Sequence, residues 1–461
     1  MLMFRLPVFY VVGSRPYYAT ALQLAAGIDV TALSLRHTPG YPIFLTGIIG
    51  LFGLEPQAIA AVQHALGIGT AVMCYYIGKL AVGRLVGLGA GLLAGLNTTL
   101  VVYEQHILTE PLFGFLLLLS ILLLVAAARG RAGWLFLLGG VAAGLSALTR
   151  PIGQTIVLAT PVALWLYFGR WRPSLRASLF LLAGFGLAAG PWIARNALTQ
   201  SEASVRHPGS TLLGHVRQER EYTRGYFTLD GGTDSDPLRQ EARRIVERMA
   251  PSDPDPLEMW TELQQRLGVS PAQANRLMGE IAVDTILRHP WHFVQVFSGA
   301  TLSLFAGPKD ERLEDFLPRT KNQWPGRFLA GPIKEGSVPD LNPSEPQPAQ
   351  RWEASNAATV ADLFRPDQAA PLLAVLFLVG VAEAVLRPER RVILIPALTV
   401  IGIIVLNGVI AGDKPRYRYP LDPAIAIVAM AGAAALAELA AGSARRGLAG
   451  FRSRQVSAPA S

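Results

Sequence analysis

The sequence predicts an all-α polytopic membrane protein: a bundle of about ten transmembrane helices, with helices at the outer interface and a small external segment. Charged residues make up only 16% of the 461 residues, against about 25% in an ordinary soluble domain. Hydrophobic residues reach 51%, and long stretches carry no charge at all. Cys74 is the only cysteine and cannot pair within the chain, which excludes a disulfide-rich secreted class.

Nine segments have the length and apolar character of transmembrane helices, which need about 20 mostly apolar residues. They are residues 56–79, 85–103, 111–128, 133–149, 151–169, 175–194, 369–386, 391–411 and 421–441. Lys and Arg gather at alternate ends of these segments and mark the cytoplasmic side. The net charge of +8 therefore indicates membrane orientation and contact with membrane lipids, and no nucleic-acid partner is expected.

Three apolar segments do not fit this count. Pro42–Leu54 is too short to cross the membrane, and we expect a helix at the outer interface. Trp291–Gly307 is predicted to be juxtamembrane or re-entrant, because a full span there would place the basic cluster Arg387–Arg391 outside. Met1–Gly13 is half a span long, and we expect a truncated first transmembrane helix.

The chain is predicted to have three regions. Residues 1–195 are an N-terminal membrane module whose first outer loop covers 14–55. Residues 196–368 are a mostly external segment with a juxtamembrane helix at 291–307. Residues 369–461 carry the C-terminal spans and a cytoplasmic tail.

Two features stand out in the external segment. Ser270-Pro271-Ala272-Gln273 has the pattern of a capping box with proline at the first helical position, so a helix should begin there and end before Pro290. Lys309–Pro366 is rich in proline, glycine and charge, which predicts a loop.

Acidic residues near the outer membrane surface are candidates for catalysis, because an ionisable group at the bilayer centre costs about 2.5–3.5 kcal/mol. Glu104 and Glu110 lie on the turn between two predicted spans, and Glu110 opens a chargeless run through Ala128. A carboxylate in this place can simply complement the helix dipole. Alternatively, it can act as a general base or position an acceptor.

Basic residues at the outer ends of spans form a second set of candidates. They are Arg150, Arg195, Lys414, Arg416 and Arg418. Positive charge in an outer loop is contrary to the usual charge asymmetry. Either these side chains extend to lipid headgroups, or their cations bind phosphate, which arginine can contact bidentately.

The first outer loop adds His37 and Asp29. A single histidine is more often a surface residue than a catalytic one, but His37 lies beside Arg36 and a rigid Pro-Gly-Tyr-Pro turn. Asp29 is the only carboxylate before Glu55. Carboxylates and guanidinium groups on one membrane face suit chemistry on a phosphate-linked lipid, where a carboxylate takes a proton from an acceptor hydroxyl and cations stabilise the departing phosphate.

Other chemistries have no motif in this sequence. It contains no P-loop, no GxGxxG, no GxSxG and no metal-spaced His/Cys cluster. We therefore expect no organic cofactor, while a divalent cation remains possible on the sequence alone.

Several short motifs occur in a fixed order along the membrane part. They are Tyr17-Tyr18-Ala19, His37-Thr38-Pro39-Gly40-Tyr41-Pro42, Leu51-Phe52-Gly53, Thr109-Glu110-Pro111-Leu112-Phe113, Gly144-Leu145-Ser146-Ala147-Leu148-Thr149-Arg150-Pro151, Pro191-Trp192 with Arg195-Asn196, His289-Pro290 and Arg416-Tyr417-Arg418-Tyr419-Pro420. This series resembles the membrane-embedded GT-C glycosyltransferases of the polyprenyl-phosphate-sugar class. That superfamily includes protein O-mannosyltransferases and the aminoarabinose transferases acting on lipid A. The resemblance covers nearly all of the membrane part and poorly covers 197–280 and 309–368.

The resemblance implies a multi-pass enzyme of the inner (plasma) membrane. Such an enzyme transfers a hexosyl or pentosyl group from a polyprenyl-phosphate donor to a lipid, glycan or protein acceptor at the periplasmic or extracellular face. By the same analogy, Glu110 matches the second acidic position of the family. The candidates around the donor phosphate are Arg150, Arg195, Lys414, Arg416, Arg418 and His37.

The chain departs from the family pattern at one place. The family usually carries an acidic residue before the Tyr-containing helix, where this chain reads Val12-Gly13-Ser14-Arg15-Pro16-Tyr17. Asp29 or Glu104 is then the candidate substitute. Two alternatives to an enzyme stay open: an inactive GT-C-like binding or assembly subunit, and a transporter or flippase of polyprenyl-linked glycans. A transporter would show repeated halves with broken midplane helices, and we find no such symmetry in the sequence.

Overall fold

A computed structural model describes residues 9–10, 14–28, 38–130, 132–199, 208–217, 236–249, 256–307, 327–328, 366–410 and 417–456. Within these ranges the chain is helical almost throughout, which confirms the predicted all-α class. The one strand pairing there is antiparallel, between β1 (Phe9–Tyr10) and β2 (Arg327–Phe328). The backbone of Phe9–Tyr10 is thus extended because it pairs with β2, whereas a helix was predicted for this segment. Most of Met1–Gly13 lies outside the described residues.

The helices fall into three groups along the chain. The N-terminal group is α1 (Arg15–Ala25), α2 (Gly40–Phe52), α3 (Pro56–Ala81), α4 (Arg84–Gly95), α5 (Thr98–Tyr103), α6 (Glu110–Gly130), α7 (Gly133–Thr149), α8 (Thr155–Phe168) and α9 (Trp171–Thr199). A middle group follows with α10 (Pro208–Arg217), α11 (Pro237–Arg248), α12 (Pro256–Leu267) and α13 (Pro271–Arg288). The last group is α14 (Pro290–Ala306), α15 (Pro366–Leu386), α16 (Leu394–Ile410) and α17 (Asp422–Val456). Short 3₁₀ turns at Pro151–Gln154, Pro388–Ile393 and Tyr419–Leu421 lead into α8, α16 and α17.

Seven helical segments in the described part are long and apolar enough to cross a membrane, and α2, α4 and α7 are shorter apolar helices. Together they make the chain an integral membrane protein. Eight of the nine predicted spans each correspond to one continuous helical segment.

The prediction of a single span at 85–103 is wrong. Here α4 ends at Gly95, and Asn97 caps the separate helix α5 by accepting a hydrogen bond from the Leu100 backbone N–H at 3.2 Å. Asparagine at this position favours a new helix start over continuation of the old one. The Asn97 amide also donates to Asp422 at 3.3 Å, so the break is anchored to the start of α17.

The main apolar core lies between helices of the N-terminal and C-terminal groups, from α3 to α9 and from α14 to α17. Within it α7 and α9 pack closely, because a Cβ at Gly140 would overlap the backbone carbonyl of Leu181. Small residues allow such close approach of membrane helices.

A second core packs the first outer loop against one end of the bundle. Tyr18 of α1 and Tyr41 and Leu45 of α2 are buried with Ile59 of α3 and Ile107 of the turn before α6. The predicted interfacial helix at 42–54 is confirmed as a helix, α2. It therefore covers the end of the bundle at which α6 begins.

Helices α10 to α13 share a separate small core. The predicted capping box is present: Ser270 Oγ accepts from the Gln273 N–H at 3.2 Å, and Gln273 Oε1 accepts from the Ser270 N–H at 3.0 Å. Only His289 separates α13 from α14, and α14 packs against α15 and α16 of the bundle. Apart from β2 and Pro366, the predicted loop at 309–366 lies outside the described residues.

Candidate functional site

Glu110 and Arg150 form a buried ion pair where α6 begins and α7 ends. Arg150 Nη1 donates to Glu110 Oε1 at 2.6 Å, and the two side chains are 8% and 6% exposed for Arg150 and Glu110. Pro111 is tolerated in the first turn of α6, where its missing N–H is not needed. Pro151 disfavours a helical conformation for the residue before it, and Arg150 is accordingly extended, with φ −144° and ψ 127°. The prolines thus place both charged groups at the same end of the bundle.

Aromatic rings enclose the Arg150 guanidinium. Its Cζ lies 5.7 Å from the ring centre of Phe113 and 5.3 Å from that of Tyr417. A cation over an aromatic face is stabilised by up to about 2 kcal/mol when desolvated. Because Tyr417 precedes α17, Arg150 links the N-terminal helices to the C-terminal ones.

Glu104 forms a second buried pair, with His64 of α3. His64 Nδ1 lies 2.5 Å from Glu104 Oε2, and the side chains of His64 and Glu104 are 4% and 11% exposed. Burial raises the pKa of the Glu104 carboxyl, and its hydrogen bond with His64 opposes part of that rise. Among the described residues His64 Nε2 has no hydrogen-bond partner. The pair is therefore a carboxylate–imidazole dyad in which one ring nitrogen, His64 Nε2, is not hydrogen-bonded within the described residues.

Two residues of α3 hold the Glu104 turn in place. Gln63 Nε2 donates to the carbonyl oxygens of Glu104 at 2.8 Å and His106 at 2.9 Å, while Gln63 Oε1 accepts from the Tyr41 hydroxyl at 2.9 Å. A Cβ on Gly67 would overlap the Glu104 carboxylate. The absence of a side chain at Gly67 is thus what lets the carboxylate lie against α3.

Glu104 and Glu110 both line a small cavity of about 40 Å³. The rest of the wall includes Gly67, Thr70, Tyr103, Phe115, Tyr419 and Pro420. Because one water molecule needs about 10–15 Å³ of such space, the cavity accommodates two or three waters. A larger ligand requires the surrounding turns to move.

Arg418 is engaged by partners within the fold. Its Nε donates to Asp422 Oδ1 at 2.9 Å, and its Nη1 donates to the carbonyl oxygens of Leu304 at 3.1 Å and Phe305 at 2.6 Å. These bonds use three of its five N–H donors, and the residue is 3% exposed. Arg418 therefore ties the end of α14 to the start of α17.

Arg195 lies near the end of α9. Its Cζ is 4.7 Å from the ring centre of Trp192, and its Nη1 donates to Asn196 Oδ1 at 3.2 Å. Both contacts hold the guanidinium against its own helix. The remaining predicted site residues, Asp29, His37, Lys414 and Arg416, lie outside the described residues.

The structure thus brings together three of the predicted residues, Glu104, Glu110 and Arg150, and adds one that sequence reasoning missed. His64 lies inside the predicted span 56–79, and an ionisable residue at such a place is itself an indication of function. Metal binding gains no support here, since within the described ranges no three His, Cys, Asp or Glu side chains are grouped to hold an ion.

Residues 36–192 match the family model described as dolichyl-phosphate-mannose-protein mannosyltransferase. This part of the chain is therefore similar to a family of membrane glycosyltransferases. The matched residues contain both buried pairs, Glu104–His64 and Glu110–Arg150, and they end at Trp192, just before Arg195.

Two solved structures are similar to the chain. ArnT from Cupriavidus metallidurans bound to undecaprenyl phosphate is 15% identical, over 92% of this chain and 76% of that one, with a TM-score of 0.36. ArnT from Cupriavidus metallidurans in the apo state is also 15% identical, over 92% of this chain and 75% of that one, with a TM-score of 0.37. Superpositions this loose transfer no residue positions between the chains. No curated protein matches the sequence.

Proposed function

We propose that the chain transfers a sugar from a polyprenyl-phosphate donor to an acceptor at the outer face of the inner (plasma) membrane. The observation that carries this proposal is the cavity lined by two buried carboxylates, Glu104 and Glu110, within the residues 36–192 that match the mannosyltransferase family model. Transfer from a lipid phosphate needs a base for the acceptor hydroxyl and cations for the departing phosphate. Glu104 and Arg150 are the groups of these two kinds that the structure describes at this site.

Glu104 is the proposed base. Burial raises the pKa of its carboxyl, and a base is most effective when its pKa lies near the working pH. His64 Nδ1 contacts the same carboxylate, and this hydrogen bond favours the ionised form that acts as the base. Glu104 would then replace the acidic residue that the family usually carries before the Tyr-containing helix, where this chain has none.

Glu110 has a different proposed role. Its carboxylate already accepts a hydrogen bond from the Arg150 guanidinium, so one of its oxygens is engaged within the fold. We assign Glu110 the orientation of Arg150, which would contact the donor phosphate. Because Arg195 and Arg418 have partners within the fold, they are assigned lesser parts in phosphate binding.

Four residues enter the proposal on the sequence pattern alone. Lys414, Arg416 and His37 are proposed contacts of the donor phosphate, and Asp29 is an alternative base. The proposed acceptor is a lipid, glycan or protein.

A second candidate function is a GT-C-like subunit that binds or assembles without catalysis. Two observations favour it: the cavity at Glu104 holds only a few waters, and Glu110 is neutralised by Arg150. A catalytic chain must open this end of the bundle to admit a sugar, whereas a binding subunit need not.

The test is a transfer assay with the full chain reconstituted in nanodiscs. A panel of undecaprenyl-phosphate sugars is supplied, and released undecaprenyl phosphate is measured in the presence of envelope lipid extracts. We expect Glu104→Gln to lower the rate by roughly 10²–10⁴-fold, as for loss of a general base. The matched control is Glu55→Gln, the same change at an exposed carboxylate at the start of α3, which should leave the rate unchanged.

The outcomes separate the two functions. Transfer at the wild-type rate by Glu104→Gln contradicts the proposed base. Donor binding without transfer of any sugar by the wild-type chain supports the non-catalytic subunit.

A further inference from the structure

A cavity of about 500 Å³ lies at the end of the bundle opposite to the Glu110–Arg150 pair. It is formed where α7 begins and where the chain turns from α8 into α9. Since α7 has 17 residues and rises 1.5 Å per residue, the two ends are about 25 Å apart. The cavity is therefore distinct from the candidate active site.

The wall of this cavity combines aromatic rings with guanidinium groups. Phe136, Phe168 and Phe180 supply the rings, and Arg170 and Arg176 supply the charges. The Arg176 Cζ lies 5.9 Å from the ring centre of Phe180, so this guanidinium stands directly above the apolar part of the wall. A ligand with an anionic head beside an apolar body matches that arrangement.

The positive charge here is not compensated. In the described part of the chain, Arg170 and Arg176 have no carboxylate partner, and neither has the adjacent Arg172. At the same end of the bundle, Arg387 and Arg390 are both paired with carboxylates. The unpaired arginines therefore leave an anion-binding position at the cavity.

Two tryptophans indicate the depth of this cavity in the membrane. Trp134 at the start of α7 and Trp171 at the start of α9 are 62% and 65% exposed. Exposed tryptophan is enriched at the level of the lipid headgroups. Leu175 and Leu179 continue from Trp171 as exposed apolar side chains, as expected of a helix face in contact with acyl chains. At this depth, lipid headgroups are the anions next to the cavity.

We propose that this cavity binds the headgroup of an anionic glycerophospholipid from the adjacent leaflet. Arg170 and Arg176 would hold the phosphodiester through bidentate hydrogen bonds, while the glycerol and upper acyl carbons lie against Phe136 and Phe168. Basic pockets between transmembrane helices on the cytoplasmic side take such headgroups, and about 500 Å³ is within the usual range of ligand pockets. The proposal does not depend on the chain being a glycosyltransferase.

The test is native mass spectrometry of the full chain, purified in neutral detergent and titrated with phosphatidylglycerol. We expect the double substitution Arg170→Gln and Arg176→Gln to weaken the first binding event by roughly thirty-fold, since each basic side chain near the surface contributes a factor of about five. Arg172→Gln is the matched control, because it removes the same charge from an exposed side chain that stacks on Trp171 outside the cavity. It should bind the lipid nearly as tightly as the wild type.

A charge-neutral variant keeps the test decisive if the double variant does not fold. A Cβ at Gly133 would lie 3.5 Å from the Phe180 ring, in ordinary contact, so the backbone accepts a side chain there, and Gly133→Leu is chosen to place an apolar group in the cavity. It should also weaken phosphatidylglycerol binding, and phosphatidylcholine should bind the wild type weakly. Equal losses from Arg172→Gln and from the cavity variants, or unchanged binding by the cavity variants, would overturn the proposal. Displacement of the lipid by millimolar inorganic phosphate would assign the arginines to free phosphate and overturn it as well.

Discussion

Arg150 Nη1 lies 2.6 Å from Glu110 Oε1, across 40 residues of sequence. The contact joins the last residue before a proline-led 3₁₀ turn to the first residue of α6. Both side chains are buried, so removing either one leaves an uncompensated buried charge. Breaking the pair is therefore expected to destabilise the end of the bundle at which α6 begins.

Arg150→Gln is expected to lower the free energy of unfolding by about 3–5 kcal/mol, because Glu110 loses its counter-charge. Adding Glu110→Gln should restore part of that loss, since the double variant buries no unpaired ion. Denaturant unfolding in mixed micelles gives the double-mutant cycle. Strictly additive losses would contradict the pairing.

The Glu104–His64 dyad predicts a shift in the pH dependence of sugar transfer. Burial raises the pKa of the Glu104 carboxyl, and its hydrogen bond with His64 holds it down in part. His64→Leu removes that bond, so the pKa of Glu104 rises further. Since the base acts only when ionised, the acidic limb of the kcat/KM profile should move to higher pH.

The control for this profile is His292→Leu in α14, which removes a histidine from outside the wall of the Glu104 cavity. Its acidic limb should coincide with that of the wild type. A limb that stays in place in His64→Leu, or moves to lower pH, argues against Glu104 as the base.

Gly67→Ala is expected to separate activity from stability. The added Cβ would occupy the position of the Glu104 carboxylate, which is the end of a flexible side chain and can turn away from His64. Alanine also favours a helix by about 1 kcal/mol over glycine, so the fold should hold. We expect more than about ten-fold loss of transfer at an unchanged melting temperature.

Gly186→Ala is the matched control for Gly67→Ala, because a Cβ there meets nothing within 4 Å. It should keep wild-type activity. Equal activity in both variants would show that the Glu104 position is not needed.

Gly140→Ala, unlike Gly67→Ala, should lower the melting temperature of the bundle. Its Cβ would overlap the Leu181 carbonyl of α9. A backbone carbonyl within a helix cannot rotate away, whereas a flexible side chain can. Overpacking of this kind costs about 1–3 kcal/mol. Thermal unfolding, with Gly186→Ala as the reference, checks the loss; an unchanged melting temperature would mean that α7 and α9 are less closely packed.

Substitutions of Arg416 and Arg418 should have different effects on stability and on donor binding, although only Tyr417 lies between the two residues. Arg418→Ala leaves Asp422 without its counter-charge and two carbonyl groups without this donor, although the Asn97 amide still donates to the other oxygen of Asp422. We therefore expect a loss of about 3–5 kcal/mol in stability. Arg416→Ala is expected to weaken binding of undecaprenyl phosphate in nanodiscs while the melting temperature is kept. Equal donor binding by wild type and Arg416→Ala would remove Arg416 from the proposed phosphate site.

The sequence allowed the spans to be predicted because apolar length and charge asymmetry are local properties. The capping box at Ser270 was predictable for the same reason, since its two partners are three residues apart. The break at Asn97 was missed although its cap is local, with Leu100 three residues away. The bond of the Asn97 amide to Asp422, 325 residues away, is indicated by no local pattern.

The site was only partly predictable. The positions of Glu104, Glu110 and Arg150 at span ends are visible in the sequence, but their partners are not. Which face of α3 meets the Glu104 turn depends on helix packing, so the contact with His64, 40 residues away, needs the structure. The same holds for Arg418, whose bonds to Leu304 and Phe305 depend on where α14 packs.

The short connection between α13 and α14 leaves little chain to absorb a movement between the four-helix cluster and the bundle. Only His289 lies at the joint, and Pro290 fixes the first turn of α14. The other end of α14 is bonded at the Leu304 and Phe305 carbonyls to Arg418, whose neighbour Tyr417 lies against Arg150. The four-helix cluster is thus connected to the Glu110–Arg150 pair through one helix and two side-chain contacts.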